Sequence, residues 1–402
     1  MNRLKQVVAV LFAAFLTGCC CMNESPVKDS GTTFAADTLK PYIESGELPG
    51  AISILYSNGV QETACLGWAS VEKKTPMTMD KMFMQCSQTK GFCGVTIAML
   101  VEEGKISLDD PVSKYLPYFN DLKVIAWDKN GKQISVPTKN TLTIRMVMNH
   151  TGGFPFEIPS KNKNGWSSLP LQETAKEAAG KLLRFEPGTA VQYSNTGIDI
   201  GAAVIEAVTG MPWEVFLKER VFVPLGMVDS TFNPTDEQLK RAISLYIVRE
   251  GQKAKYLHFN RAMPRPYNGP GVHPSAGAGL WTTAADQLKF YKMLMNLGVG
   301  DNGVRILKEE TVKNLLATST RPQKLGYYSL GLSASPDGWF GHGGAWGTSC
   351  LVNWQKKQLR LWIVQQNGNA GVWRKKWQSA SEQFFKAAID NSGIDAYTGR
   401  TR

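Results

Sequence analysis

Histidine is scarce in this chain: four residues among 402 (His150, His258, His273 and His342), none of them in an H-E-x-x-H pattern. The seven cysteines form no paired C-x-x-C motif either. The imidazole and thiolate sets that hold zinc are missing, which disfavours a zinc enzyme. The sequence also lacks a G-x-x-x-x-G-K-[ST] phosphate loop and a G-x-S-x-G nucleophile elbow, so neither class of enzyme applies. No internal repeat is visible, and the 38 glycines and 20 prolines are scattered without a collagen-like period. What is present is a large apolar share, 43% against 20% charged residues, enough for a sizeable core and against general disorder. At about 150 residues per domain, the length allows two to three domains.

The N-terminus reads as a targeting segment. Arg3 and Lys5 precede the apolar run Val7–Leu16, which is too short for an ordinary membrane span and suits a secretory signal. Leu16-Thr17-Gly18-Cys19 then resembles the bacterial lipobox, which implies cleavage after residue 18, lipid on Cys19 and an exported lipoprotein of the cell envelope. If the host has two membranes, the periplasmic or outer-membrane side is expected. The alternative is a plain signal peptide cut elsewhere. Losing Arg3 and Lys5 changes the formal charge from +11 to +9. In an exported chain, such charge fits anionic envelope surfaces or solubility better than nucleic acid. The cluster Arg374-Lys375-Lys376 between Trp373 and Trp377 reads as the solvated face of a helix. Cys65, Cys86, Cys93 and Cys350 remain in the folded part and are expected as buried free thiols.

Residues 19–37 read as a tether, residues 38–390 as one domain and residues 391–402 as a tail. Within the domain, a helix is expected over Thr38–Gly46, followed by strands Ala51–Tyr56 and Glu62–Trp68 joined through Ser57-Asn58-Gly59, a strong hairpin signal. Phe92, Val95, Met99 and Leu100 recur at helical spacing up to the stop at Gly104. The middle is expected to be helical with long polar loops, its clearest helices being Leu142–Met148, Ile198–Val208 and Trp213–Arg220. Helices Thr283–Leu297 and Lys308–Leu316 come next, then strands Tyr327–Ser333, Ser349–Trp354 and Leu359–Gln365, and a last helix Trp373–Ile389. Strands at both ends enclosing a helical middle suggest one sheet built from both termini, about 38–104 and 275–390, with an inserted helical lobe at about 105–274.

Three short motifs carry chemistry. A serine and a lysine at i and i+3 on a helix's first turn share a face, so a desolvated, partly neutral lysine can take the serine's proton. S-x-x-K occurs at Ser25, Ser70, Ser87 and Ser160, and only Ser87 opens an apolar helix. Y-x-N occurs at Tyr56, Tyr118 and Tyr193, of which Tyr193-Ser194-Asn195 stands immediately before a helix. His342-Gly343-Gly344 leads into a strand, where glycines permit close approach of a ligand. His150-Thr151-Gly152 shares the H-x-G form but follows a helix, so His342 is preferred; His258 and His273 read as structural. Taken singly, each motif has a bland reading, such as a helix cap for Ser87 or a packed ring for Tyr193.

The order Ser87-Gln88-Thr89-Lys90, Tyr193-Ser194-Asn195, His342-Gly343-Gly344 resembles the penicillin-recognising serine hydrolase superfamily, and within it the class C β-lactamase-related family of β-lactamases, D-stereospecific peptidases and esterases. Further matching runs include Leu48-Pro49-Gly50, Met148-Asn-His-Thr-Gly-Gly-Phe-Pro155, Phe185-Glu-Pro-Gly-Thr189 and Gly277-Ala-Gly-Leu-Trp-Thr-Thr283. The resemblance implies an α+β fold, an antiparallel sheet flanked by the N- and C-terminal helices with an inserted all-helical lobe; it also implies an acylated Ser87, Lys90 as its proton acceptor, Tyr193 as general acid and base, and Asn195 positioning Lys90 and substrate. It places His342, Gly343 and Gly344 against substrate and the oxyanion hole on the backbone N–H groups of Ser87 and Ala345. No metal or organic cofactor, nucleic acid or protein partner is implied; the partners expected are a small-molecule or peptide substrate and, through the lipid, a membrane. His342 stands where most β-lactamases have lysine, which favours an amidase, D-aminopeptidase or esterase over an efficient β-lactamase. The alternatives are a weak β-lactamase and a non-catalytic module that binds an envelope polymer. Cys86 before the serine, and Gly91, Cys93 and Gly94 after Lys90, are unusual; two helical glycines cost about 1 kcal/mol each relative to alanine.

Overall fold

The computed structural model describes residues 28–29, 34–158, 169–257, 273–368 and 371–392. The signal segment, Cys19, Ser25, Ser160, His258 and the tail lie outside the described residues. The first helix, α1 (Phe34–Glu44), begins inside the stretch expected to be tether. Strands β1 (Gly50–Ser57) and β2 (Val60–Ser70) follow it. They meet at Asn58 and Gly59, whose φ values of 48° and 86° are those of a two-residue hairpin turn with both central residues left-handed.

Strands from the far end of the chain complete the sheet: β3 (Trp339–Gly344), β4 (Thr348–Asn353) and β5 (Gln358–Ile363). The antiparallel order is β2-β1-β5-β4-β3, with Ile363 opposite Ile52 and His342 opposite Cys350. Lys28–Asp29 adds to the β2 edge in parallel, and Ser333–Ala334 adds to β3.

Both faces of this sheet are covered, which explains the almost unbroken burial along β1. On one face Ala51, Leu55 and Trp362 pack with Trp373, Trp377, Phe384 and Phe385 of the terminal helix α5 (Gly371–Ser392). Trp377 Nε1 donates to Ser53 Oγ at 2.8 Å, while Arg374, Lys375 and Lys376 face solvent. Burying an aromatic side chain of this size contributes about 4–6 kcal/mol gross. On the other face Ile52, Ile54, Leu361 and Ile363 join the main core with α2 (Thr89–Glu102) and α4 (Ala284–Met295), where Phe92 stacks on Phe290 at 3.7 Å. Helix α3 (Asn195–Thr209) runs from a Ser194 cap, whose hydroxyl accepts from Gly197 N–H, to Gly210 at φ 69°.

The structure departs from the sequence reading in several further places. The inserted lobe is not all-helical: Lys123–Trp127 pairs with Gln133–Pro137 in a hairpin, turned by Gly131 and by Asp128 Oδ1, which accepts from the N–H groups of Asn130 and Lys132. Tyr327–Ser333 is not a strand; only Ser333–Ala334 pairs, because Gly331 at φ 69° turns the chain and Ser329 N–H reaches Leu332 O. The His-Gly-Gly run ends a strand instead of entering one. Of the four cysteines, Cys86, Cys93 and Cys350 are buried free thiols, whereas Cys65 is exposed on β2.

Candidate active site

The nucleophile motif sits at a sharp junction. Strand residues Met82–Met84 lead through Cys86, at φ 52°, into a 3-10 turn Cys86–Gln88 that runs directly into α2. A left-handed conformation at a residue with a Cβ costs of order 1–3 kcal/mol and is found where function demands it. Thr89 Oγ1 donates to Cys86 O at 2.7 Å and closes the turn. Ser87 is thereby presented one turn before Lys90, with Nζ and Oγ 3.2 Å apart.

The glycines after Lys90 have a packing reason. A Cβ on Gly94 would lie 1.8 Å from Leu330 O, and one on Gly91 would lie 2.5 Å from Leu332 Cδ2. In return, a Cβ on Gly331 would meet Lys90 O at 2.2 Å. The turn 329–332 lies directly on the nucleophile helix and covers the lysine-bearing turn.

Lys90 is fully buried. Its Nζ donates to Asn195 Oδ1 and to Gly277 O, both at 2.6 Å. Each acceptor is itself held. Asn195 Nδ2 donates to Glu157 Oε1 at 3.1 Å, and Gly277 N–H donates to Asp199 Oδ1 at 3.0 Å. Gly277 must be glycine, since a Cβ there would stand 2.7 Å from Asn195 Cβ. Burial lowers the Lys90 pKa to about 7; the carboxylate of Asp199 opposes that shift, as do Cys86 and Glu157.

Tyr193 closes the other side, its ring 4.7 Å from Nζ. Burial raises its pKa to about 12, so the hydroxyl keeps its proton, while a hydrogen bond with Ser87 opposes the rise. His150, set aside in the sequence reading, packs its ring 4.4 Å from that of Tyr193 and accepts from Ser194 N–H through Nδ1. His342 Nε2 is 3.5 Å from the Tyr193 hydroxyl and 3.0 Å from that of Tyr328. Burial first, and the Lys90 charge second, lower the His342 pKa to about 3.

Gly344 ends β3 against the nucleophile turn, where a Cβ would lie 2.3 Å from Gln85 O; the backbone N–H groups of Ala345 and Trp346 meet the Cys86 sulfur. Ser87, Lys90, Tyr193, Asn195 and His342 are therefore brought together from three separate parts of the chain, with Gly343, Gly344 and Ala345 beside them. The other S-x-x-K serine described, Ser70, ends β2 and shares its hydroxyl with Glu72. Tyr118 donates to Gln172, and His273 is buried against Asp199 and Thr174. Glu157, Asp199, Gly277 and Tyr328 were missed. Of these, only Asp199 had a readable signal, one helical turn beyond Asn195; Gly277 lay in a run quoted for resemblance without a role.

A sheet built from both ends of the chain, with a half-buried serine on a buried lysine beside a Tyr-x-Asn turn, defines a class of serine hydrolases. The beta-lactamase family model matches residues 35–382, and the chain belongs to that family. Among curated proteins it is similar to Protein Rv1367c of Mycobacterium tuberculosis, 26% identical over 283 residues and 69% of each chain. It is also similar to Protein flp of Staphylococcus aureus, 25% identical over 300 residues that make up 74% of this chain and 53% of that protein. Among solved structures, EstCE1, a hydrolase with promiscuous acyltransferase activity, superposes with a TM-score of 0.71 at 22% identity, covering 87% of this chain and 97% of that one. Simvastatin synthase (LovD) from Aspergillus terreus gives a TM-score of 0.73 at 19% identity in its LovD9 mutant, covering 89% and 99%. These two likenesses establish the fold.

Proposed function

We propose that the chain hydrolyses ester or amide bonds through an acyl-enzyme on Ser87, as an esterase or a D-aminopeptidase-like amidase. The observation that carries this reading is the environment of Lys90. A neutral amine has two N–H bonds and one lone pair. Two carbonyl acceptors at 2.6 Å take the N–H bonds, which leaves the lone pair for Ser87 at 3.2 Å. A module that only binds polymer has no use for such a set.

In acylation, Ser87 Oγ gives its proton to Nζ as the Oγ–C bond forms. The carbonyl oxygen becomes an oxyanion, stabilised by the N–H groups of Ser87 and Ala345; preorganised donors of this kind are worth about 3–4 kcal/mol each. Tyr193 then gives its hydroxyl proton to the leaving oxygen or nitrogen as that bond to carbon breaks, and the Lys90 ammonium restores the phenol. In deacylation a water oxygen attacks the acyl carbon, its proton passes to Lys90, and the Oγ–C bond breaks with the proton returned to Ser87. Asn195 holds Lys90 and faces substrate. A buried, neutral His342 in the third motif disfavours an efficient β-lactamase.

The full chain is expected to turn over a short acyl ester faster than a chromogenic cephalosporin, and Ser87→Ala is expected to lose all turnover with the fold intact. Turnover surviving in that variant refutes the reading. We further propose that Cys19 carries the lipid that anchors the exported protein in the cell envelope. Cys19→Ala is then expected to move it from the membrane to the soluble fraction, and unchanged fractionation counts against the anchor.

A further inference from the structure

Tyr328 plays no part in the steps above, yet it is buried and its hydroxyl points at the third motif. A buried O–H must find an acceptor, and leaving one unmade costs about 1–3 kcal/mol. The partner recorded for the Tyr328 hydroxyl among the described residues is His342 Nε2 at 3.0 Å. An Nε2 that carried a proton would leave that hydroxyl proton without an acceptor. The other ring nitrogen is assigned independently. His342 Nδ1 lies 2.5 Å from Gly343 O, and a carbonyl oxygen only accepts, so Nδ1 carries the ring's proton.

From these contacts we infer that Tyr328 is the positioning residue of the third motif: it holds His342 as a neutral imidazole by donating to its Nε2 lone pair, so that the motif offers no cation and the site takes acyl substrates without a negative charge at this position. The surroundings agree. The groups facing His342 are Lys90, the hydroxyls of Tyr193 and Tyr328, the His150 ring behind both tyrosines, Tyr291 at its backbone and Cys350 across the strand pair. Arg321 lies over the Tyr328 ring at 4.7 Å. None of these is a carboxylate; Arg321 is a cation and Lys90 becomes one below about pH 7, so an imidazolium here meets repulsion and no partner. A lysine in the third motif offers a substrate carboxylate a cation; a neutral His342, with Nδ1–H on Gly343 O and Nε2 accepting from Tyr328, offers it neither a charge nor a free donor.

The substrate half of this inference rests on the hydrolase reading, while the imidazole half does not. With four histidines in the chain, long-range 1H–15N correlation of the full chain resolves each ring, and His342→Gln assigns the one that disappears. The expected wild-type spectrum shows His342 protonated on Nδ1 alone from about pH 5 to about pH 9. In Tyr328→Phe, which keeps the ring and removes the donor, His342 is expected to stay neutral, while its Nε2 resonance moves downfield toward that of an acceptor nitrogen without a hydrogen bond. Wild type is expected to prefer a neutral ester over its carboxylated analogue of equal length across the whole window. His342→Lys is expected to reverse that preference. A doubly protonated wild-type ring, a wild-type preference for the carboxylated ester, or a Tyr328→Phe Nε2 resonance identical to wild type overturns the proposal. If Tyr328→Phe does not fold, the wild-type spectrum and the His342→Lys ratio decide. If no ester is turned over at all, the hydrolase reading fails, and the spectra still judge the imidazole.

Discussion

Lys90 concentrates the chemistry of this protein in one atom. Burial favours the neutral amine and the Asp199 carboxylate favours the ammonium, and the balance puts its pKa at about 7. Only the neutral form accepts the Ser87 proton, so kcat/KM is expected to rise with pH through about 7 and to be lost below it. Asp199→Asn removes the charge that favours the ammonium but keeps an oxygen to accept from Gly277 N–H. The acid limb of the pH–rate profile should therefore move to lower pH; a limb that stays in place or moves up contradicts the assignment. Ser87, Lys90, Tyr193, Asn195 and His342 were legible because each belongs to a short motif whose spacing has chemical meaning. Their supports were not. Gly277 binds Lys90 across 187 positions, and Tyr328 acts through a hydroxyl that no local pattern announces.

At the level of the element, α2 violates helix propensity with two glycines and gains contact by doing so. The turn 329–332 occupies the space their side chains would fill. Gly94→Ala improves propensity by about 1 kcal/mol, yet it places a Cβ 1.8 Å from a backbone oxygen that cannot rotate away. A net loss of about 1–3 kcal/mol is expected, read as a lower Tm in thermal unfolding, together with lower turnover as Lys90 shifts. A Tm unchanged or raised by Gly94→Ala refutes the packing account. The same contact explains why Tyr327–Ser333 misled the sequence reading. Its apolar residues alternate as in a strand, but Leu330 and Leu332 are spent on the helix while Gly331 turns the chain.

Across the whole molecule, residues 50–70 and 339–363 build one sheet, so strands far apart in sequence carry the two walls of the site. Hairpin and aromatic signals at the two ends made that architecture readable; the Lys123–Pro137 hairpin in the middle was obscured by its polar, half-exposed strands. The central claim concerns Ser87 as an activated nucleophile, and the intact mass of the full chain tests it most directly. The protein is exposed to a fluorophosphonate and, separately, to penicillin, with Ser87→Ala run beside it. The account predicts one phosphonyl group per chain, absent in the variant, and slower or weaker labelling by penicillin. An unmodified wild-type mass with both reagents, or equal labelling of the variant, would contradict it.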